Sequence, residues 1–194
     1  DYEAGRTKPA QPQHDPHARV YRICRARITG SGINQICTRG NISKGLLYHY
    51  YENKDALYLD CISLLFQEMT NFLRGQLDLS TLTIDQYFAM RIDFFQKHPM
   101  HRQLFYDVLI YPQSHLAEQI AKCRQEFDQF NDHALRTILQ KENLADRLTL
   151  DQAIAQFRAF VNFLGVYIRE DSVPDAEQKA HELLHTMLYG LIMR

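Results

Sequence analysis

Apolar side chains beyond residue 53 recur at the three- and four-residue spacing of amphipathic α-helices. The first such stripe is formed by Leu57, Cys61, Leu64, Leu65 and Phe72. Further helices are predicted over residues 83–98, 100–111, 115–142, 150–170 and 175–193, with breaks at Pro99, Pro112, Asn143 and Pro174. No strand-like alternation and no fixed-period repeat is found, so we expect an all-α fold.

Shorter apolar stretches before residue 53 predict a unit of three short helices. The first is expected over about 17–28, the second over 33–39 and the third from about Ser43. Gly40 and Asn41 tolerate the left-handed backbone that ends a helix, and Ser43 is a favourable cap for the next one. Because helices this short are unstable alone, they predict a helix-turn-helix whose second helix enters the DNA major groove.

Charge is distributed unevenly along the chain. Residues 1–51 hold eight Lys and Arg against three acidic residues, a balance of +5, whereas the remainder carries −6. A basic head on an acidic body suits a protein whose head alone meets phosphates. Proline-rich residues 1–17 predict a disordered arm. We therefore expect this arm, an N-terminal helix-turn-helix DNA-binding domain over 18–53, and a helical effector-binding and dimerisation domain over 54–194.

The segment around the third short helix carries a specific motif. Residues 42–51 read Ile-Ser-Lys-Gly-Leu-Leu-Tyr-His-Tyr-Tyr, and residues 53–57 read Asn-Lys-Asp-Ala-Leu. This stretch resembles the recognition helix, and the start of the following helix, of the TetR family of transcriptional regulators, which share a V-S-x-G-x-L-Y-x-Y-F pattern. The resemblance implies a homodimer that binds a near-palindromic DNA operator, acts as a repressor, and is released by a small-molecule effector.

The same resemblance implies which side chains meet DNA. Those facing bases or the phosphate backbone would be Ser43, Lys44, Gly45, Leu46, Tyr48, His49, Tyr50 and Lys54. Gly45 has no side chain and so allows close approach to the groove, and a lysine suits phosphate contact. Alternatively, the two tyrosines are ordinary half-buried aromatics, and the lysines and the histidine are solvated surface groups.

Aromatic side chains are concentrated in the predicted middle helices. Most suit a hydrophobic core, but a helical body lined by aromatics can also hold an apolar or aromatic effector. The residues predicted to line such a pocket are Phe66, Met69, Phe88, Phe95, Phe105, Tyr106, Phe127 and Phe130. Near the Pro99 break lie His98, His101 and His115, which we interpret as surface or capping residues rather than metal or ligand contacts. No metal and no cofactor is predicted.

The last two predicted helices are apolar on more than one face. A helix with two apolar faces needs two partners, one of which can be a second subunit. In the TetR family these helices form a four-helix dimer interface. The residues predicted at that interface are Phe157, Val161, Leu164, Ile168, Leu184, Met187, Leu188 and Leu191.

Composition limits the remaining classes of protein. Hydrophobic residues make up 45% of the chain and charged residues 23%, which is ordinary for a globular protein. No apolar run reaches membrane-spanning length and no secretion-signal layout is found, so a cytoplasmic protein is expected. The cysteines are expected to be small buried hydrophobes in a reducing compartment, with a redox-sensing thiol as the alternative; they are Cys24, Cys37, Cys61 and Cys123.

Two other classes of function compete with DNA binding. An all-α enzyme is disfavoured, because the sequence contains no GxSxG, no HExxH, no phosphate-binding glycine loop and no convincing carboxylate pair. A helical interaction or adaptor protein, whose basic head binds acidic protein surfaces, is the main alternative. It would lack the sequence preference and the steep salt dependence of a repressor.

Overall fold

The computed structural model describes residues 32–76, 78, 81–110, 112–144, 148–169, 179 and 182–187, with the side chains of 76 and 162–169 left aside. The predicted arm over 1–17 and the predicted first helix over 17–28 lie outside these residues. Within the described part of the chain, all regular structure is helical and there is no β-strand, which confirms the all-α fold class. The chain divides into two compact units, Asp1–Cys61 and Ile62–Arg194.

Two short helices lie in the first unit: α1 (Ile33–Gly40) and α2 (Lys44–Tyr50). The helix α3 (Lys54–Gln76) begins in the first unit and ends in the second. The second unit also contains four α-helices separated by short breaks, α4 (Ile84–Lys97), α5 (Pro99–Ile110), α6 (Ala117–Leu139) and α7 (Leu150–Arg169). A 3₁₀ turn, Ser114–Leu116, precedes α6, and residues 182–187 are helical.

The turn between α1 and α2 forms as the sequence predicts. Asn41 ends α1 with the left-handed angles φ 50° and ψ 51°, and the backbone N–H groups of the turn donate to the carbonyls of Cys37 and Thr38. Ser43 then caps α2, because its hydroxyl accepts a hydrogen bond from the backbone N–H of Leu46 at 3.1 Å. Ile36 and Leu47 bury the facing sides of the two helices.

Local signals also set the ends of the longer helices. The Asn53 side chain accepts from the Ala56 backbone N–H at 2.8 Å and so caps α3. Thr83 and Gln86 form a reciprocal capping box at the start of α4. Pro99 occupies the first position of α5, where its missing N–H costs no hydrogen bond.

The core of the second unit is built from aromatic side chains. In this unit, α4 and α7 each pack against both α5 and α6. Phe66 lies with its ring centroid 5.9 Å from that of Phe105 and 5.3 Å from that of Phe127. Phe95 completes the cluster, 5.0 Å from Phe105. All four side chains are buried, and offset aromatic pairs at these distances add to the stabilisation from burial.

One expectation for the cysteines is wrong. Cys61 is disulfide-bonded rather than a buried thiol. Cys37 is a buried thiol, as expected, and Cys123 is a half-buried one. Cys24 lies outside the described residues. Separately, none of the described helices is long and apolar enough to cross a membrane.

Candidate DNA-binding surface and ligand cavity

The helix α2 has one buried side and one exposed side. Leu47 is only 1% exposed and anchors the helix on α1, whereas Tyr48 and Tyr50 are 53% and 50% exposed. Leu46 is also exposed. Contiguous exposed apolar and aromatic surface marks a candidate interaction site. This outward face therefore carries two half-exposed tyrosine side chains.

The other residues predicted to meet DNA surround this face. Ser43, Lys44, Gly45 and His49 are exposed, and Lys54 is half-buried at the first position of α3. The His49 and Tyr50 rings meet edge to face, with centroids 4.9 Å apart. The structure thus gathers the predicted residues on or beside one short helix. Two of them, Lys44 and Lys54, are lysines that can contact an anion.

Contacts from α3 support the end of α2. The Tyr51 hydroxyl donates to an Asp60 carboxylate oxygen at 2.6 Å, and this bond links the residue after α2 to the second turn of α3. Tyr51 is therefore half-buried and held within the unit. The adjacent Tyr50 projects outward, so the two neighbouring tyrosines have different roles.

A cavity of about 880 Å³ opens in the second unit. Its apolar side is formed by Phe105, Phe127 and Phe157. Its lining also contains three ion pairs: Arg124–Asp128 at 3.0 Å, Arg136–Asp132 at 2.7 Å and Arg158–Asp132 at 2.9 Å. The cavity thus combines aromatic surface with paired arginine and aspartate side chains.

Arg91 lies in this cavity and is only 5% exposed. Its Nη1 donates to the Asn131 Oδ1 at 3.0 Å, and its guanidinium carbon lies 5.7 Å from the Phe105 ring centroid and 5.6 Å from that of Phe127. Among the described residues, no carboxylate forms an ion pair with it. Since guanidinium is always charged, this is a buried cation whose hydrogen-bond partner is neutral.

Tyr87 completes the network and does not supply the missing charge. Its hydroxyl donates to the same Asn131 Oδ1 at 2.6 Å. Burial raises the pKa of Tyr87, against the opposing influence of Arg91, so the phenol is neutral at physiological pH. Arg91 therefore forms no ion pair within the described part of the chain.

The residues predicted to line an effector pocket lie in two different cavities, in the packed core and beside Arg74. Phe105 and Phe127 line the large cavity. A second, much smaller cavity of about 20 Å³ is lined by Phe88, Phe95, Phe105 and Tyr106. Phe66 and Met69 are fully packed in the core, and the Phe130 ring lies under Arg74, 5.4 Å from its guanidinium carbon.

The residues predicted at a dimer interface are also divided. Phe157, Val161 and Leu184 are buried by the protein's own chain, so the fold of one subunit already accounts for their apolar character. Met187 is half-buried. The side chains of Leu164, Ile168, Leu188 and Leu191 lie outside the described residues. Pairing through these helices stays a prediction.

The histidines near Pro99 differ from one another. His115 is exposed on the 3₁₀ turn, as expected. His98 ends α4, and burial lowers its pKa, with neighbouring His101 lowering it further. The surface or capping role expected for His101 is wrong, because this side chain is 5% exposed and its Nε2 lies 3.1 Å from a Glu68 carboxylate oxygen.

Sequence reasoning missed Arg91 and Asn131. They lie 40 residues apart in the chain and meet only because α4 packs against α6. The available signal was an arginine and an asparagine at otherwise apolar positions of amphipathic helices, which marks buried polar groups that need a partner.

A helix-turn-helix with an exposed aromatic and basic face, in a chain that also carries an all-helical unit with a cavity, defines the class of helical DNA-binding regulators. Residues 82–189 match the family described as tetracyclin repressor-like, C-terminal domain. The chain therefore belongs to the TetR family. No curated protein sequence matches it.

Solved structures of TetR-family proteins share this fold. The ketosteroid transcriptional regulator KstR2 of Mycobacterium tuberculosis is 15% identical and superposes with a TM-score of 0.67, over 93% of this chain and 97% of its own. The regulatory protein TetR from Rhodobacter sphaeroides is 14% identical, with a TM-score of 0.66 over 91% and 98%. The transcriptional regulator FadR from Bacillus subtilis, in complex with stearoyl-CoA, is 17% identical, with a TM-score of 0.63 over 89% and 95%.

Proposed function

We propose that this protein is a transcriptional repressor that binds a near-palindromic DNA operator as a homodimer and leaves it when a small-molecule effector binds. The observation that carries this proposal is the outward face of α2, where Tyr48 and Tyr50 stand exposed beside Lys44 and His49. Phenolic hydroxyls and a lysine contact phosphates, and a histidine can donate to or accept from a base edge.

The absence of a side chain at Gly45 supports the same function. A Cβ built at this position would meet no atom of the described protein within 4 Å. Packing within the protein therefore does not require a glycine here, and helix stability disfavours one. Close approach of DNA would account for it, since a bare backbone lets a recognition helix lie deeper in the major groove.

Operator selection from random duplex DNA, followed by affinity measurement across salt concentrations, tests DNA recognition. We expect a palindromic consensus and an affinity that falls steeply with salt. Lys44→Ala should lower the salt slope by about one unit, whereas Lys141→Ala, which removes an exposed lysine from the second unit, should leave it unchanged. Binding without sequence preference and with a shallow salt slope would instead indicate the adaptor protein.

The cavity supports an effector that carries a negative charge. Arg91 is a buried cation with a neutral hydrogen-bond partner, and Phe105 and Phe127 present aromatic surface beside it. An amphipathic anion would pair with the guanidinium and cover the rings. The effector class is thus narrower than the apolar or aromatic one expected from the sequence. It would release DNA by binding the DNA-free state more tightly than the DNA-bound state.

Two matched dyes test the charge requirement. The anionic 1-anilinonaphthalene-8-sulfonate should bind more tightly than its uncharged parent, N-phenyl-1-naphthylamine. Arg91→Met should weaken binding of the sulfonate alone by about 10–100-fold, the value of a hydrogen bond to a charged group. Arg74→Met, which alters an arginine that does not line the cavity, is the control. An equal loss of affinity for both dyes in Arg91→Met would contradict the requirement for a negative charge.

Stearoyl-CoA is a reasonable first candidate effector, because the similar FadR structure contains it and because it combines anionic groups with an apolar chain. It should displace the bound sulfonate and lower operator affinity. Displacement of the dye without any change in operator affinity would show that binding of this ligand does not release the DNA.

A further inference from the structure

Three side chains with metal-binding atoms converge where α4 ends and α5 begins. Glu68 comes from α3, His98 is the residue that ends α4, and His101 lies in the first turn of α5. One donor atom from each lies within 4.8 Å of the others. Pro99 creates this arrangement, because it lies between the two histidines and starts a new helix directly after His98.

The distances already approach those of a coordination sphere. The His101 Nε2 lies 3.1 Å from the Glu68 Oε2. Ligands held about 2.0–2.1 Å from a tetrahedral Zn²⁺ are separated from each other by about 3.4 Å. A small rotation of His98 would therefore bring all three donors to one centre.

His98 carries an unused donor atom. Its Nδ1 is buried and has no hydrogen-bond partner among the described residues. A buried imidazole nitrogen is normally hydrogen-bonded, and one that is not calls for a specific explanation. A metal ion bound through Nδ1 would satisfy this nitrogen. A simple hydrogen bond between Glu68 and His101 would not.

The group of three side chains is bordered by an aromatic ring on one side and is open to solvent on the other. The Phe94 ring lies 4.7 Å from the His98 ring and meets the His101 ring edge to face at 5.9 Å, so it forms an apolar wall. The Glu68 side chain is 35% exposed and leaves a path to solvent. Three protein ligands with one open side match a metal site that keeps a water or a ligand atom in its fourth position.

We propose that Glu68, His98 and His101 bind a divalent transition-metal ion, of which Zn²⁺ is the best match to two imidazole nitrogens and one carboxylate oxygen. This donor set excludes the oxygen-preferring ions Mg²⁺ and Ca²⁺. His115 is exposed and is not part of the group. The site is distinct from the arginine-lined cavity, and the proposal does not depend on the proposed DNA-binding function.

The test uses tag-free, chelator-treated full-length protein titrated with ZnCl₂ in a calorimeter, and with CoCl₂ by visible absorption. We expect one Zn²⁺ per chain, a higher melting temperature with the metal, and the intense absorption of tetrahedral Co²⁺. His98→Ala and His101→Ala should each lower the affinity by more than about 100-fold, because loss of a supporting outer-shell partner alone costs about 10–100-fold. His115→Ala should change nothing.

Glu68→Gln provides a second test of the site in case the histidine variants do not fold. Glutamine keeps a hydrogen-bonding side chain of the same size and removes the charged ligand, so the fold should persist while Co²⁺ absorption is lost. Absence of Zn²⁺ binding by the unaltered protein would overturn the proposal. Binding that survives in His98→Ala and in Glu68→Gln would overturn it equally.

Discussion

At the scale of single residues, the informative positions are those whose identity the fold does not require. Tyr48 and Tyr51 lie three residues apart, yet Tyr51 donates to an Asp60 carboxylate oxygen within the unit and Tyr48 is 53% exposed. A Cβ added at Gly45 would meet nothing within 4 Å apart from its own helix. Such positions report on a partner outside the chain rather than on folding.

Gly45→Ala separates stability from DNA binding. Alanine in the first turn of α2 should stabilise the protein by about 0.5–1 kcal/mol, because glycine is a poor helix former and a Cβ here meets nothing within 4 Å. Operator affinity should nevertheless fall, since the added methyl group would contact DNA. Urea unfolding and operator titration measure the two effects. Gly75→Ala, at an equally open helical position, should stabilise without changing affinity. An unchanged operator affinity in Gly45→Ala would refute close approach.

Asn131→Asp tests whether Arg91 is poised to bind an anion. The new carboxylate would pair with the guanidinium, so the fold should be retained while the binding of 1-anilinonaphthalene-8-sulfonate weakens by about 10–100-fold. N-phenyl-1-naphthylamine should be unaffected. Asn143→Asp, which places the same charge at an exposed position, is the control. Undiminished binding of the sulfonate would show that Arg91 does not pair with the anionic group of the dye.

At the scale of elements, the sequence predicts most of the architecture because the decisive signals are local. Pro99 starts α5, Asn41 adopts the left-handed conformation and Ser43 caps α2, each as the residue type favours. The Arg91–Asn131 pair joins residues 40 apart, and no periodicity reports such a contact. The exposed face of α2 was therefore predictable, because it lies on one short helix, and the cavity network was not.

Loss of a helix cap should have a measurable cost at this scale. Thr83→Ala removes the capping box that opens α4, where the threonine hydroxyl accepts from the Gln86 backbone N–H at 3.2 Å. We expect a loss of about 1 kcal/mol in the free energy of unfolding. Thr81→Ala, two residues earlier and outside the helix, should cost much less. Equal costs for both substitutions in urea unfolding would show that the box does not stabilise the helix.

At the scale of the whole molecule, the division of charge and the pattern of apolar helices both fit the proposed DNA-binding dimer. Residues 1–51 carry a net +5 and the remainder −6, so phosphates are attracted to the head and repelled from the body. Of the residues predicted at a dimer interface, Phe157, Val161 and Leu184 are buried within one chain. Pairing with a second copy of the chain remains a proposal, and it would bring two recognition helices to one operator.

Dimeric recognition makes a quantitative prediction about half-sites. If two copies of α2 read the two halves of a palindrome, destroying one half-site of the selected operator removes the base contacts of one subunit. Several mismatched base pairs at about 1–3 kcal/mol each should then weaken binding by at least about 100-fold. Fluorescence anisotropy should find two chains per intact duplex. A duplex with both halves intact but half a helical turn inserted between them should lose affinity to a similar degree, because the half-sites then face opposite sides of the DNA. Affinity that follows the number of half-sites but ignores their spacing would instead show that each chain binds DNA independently.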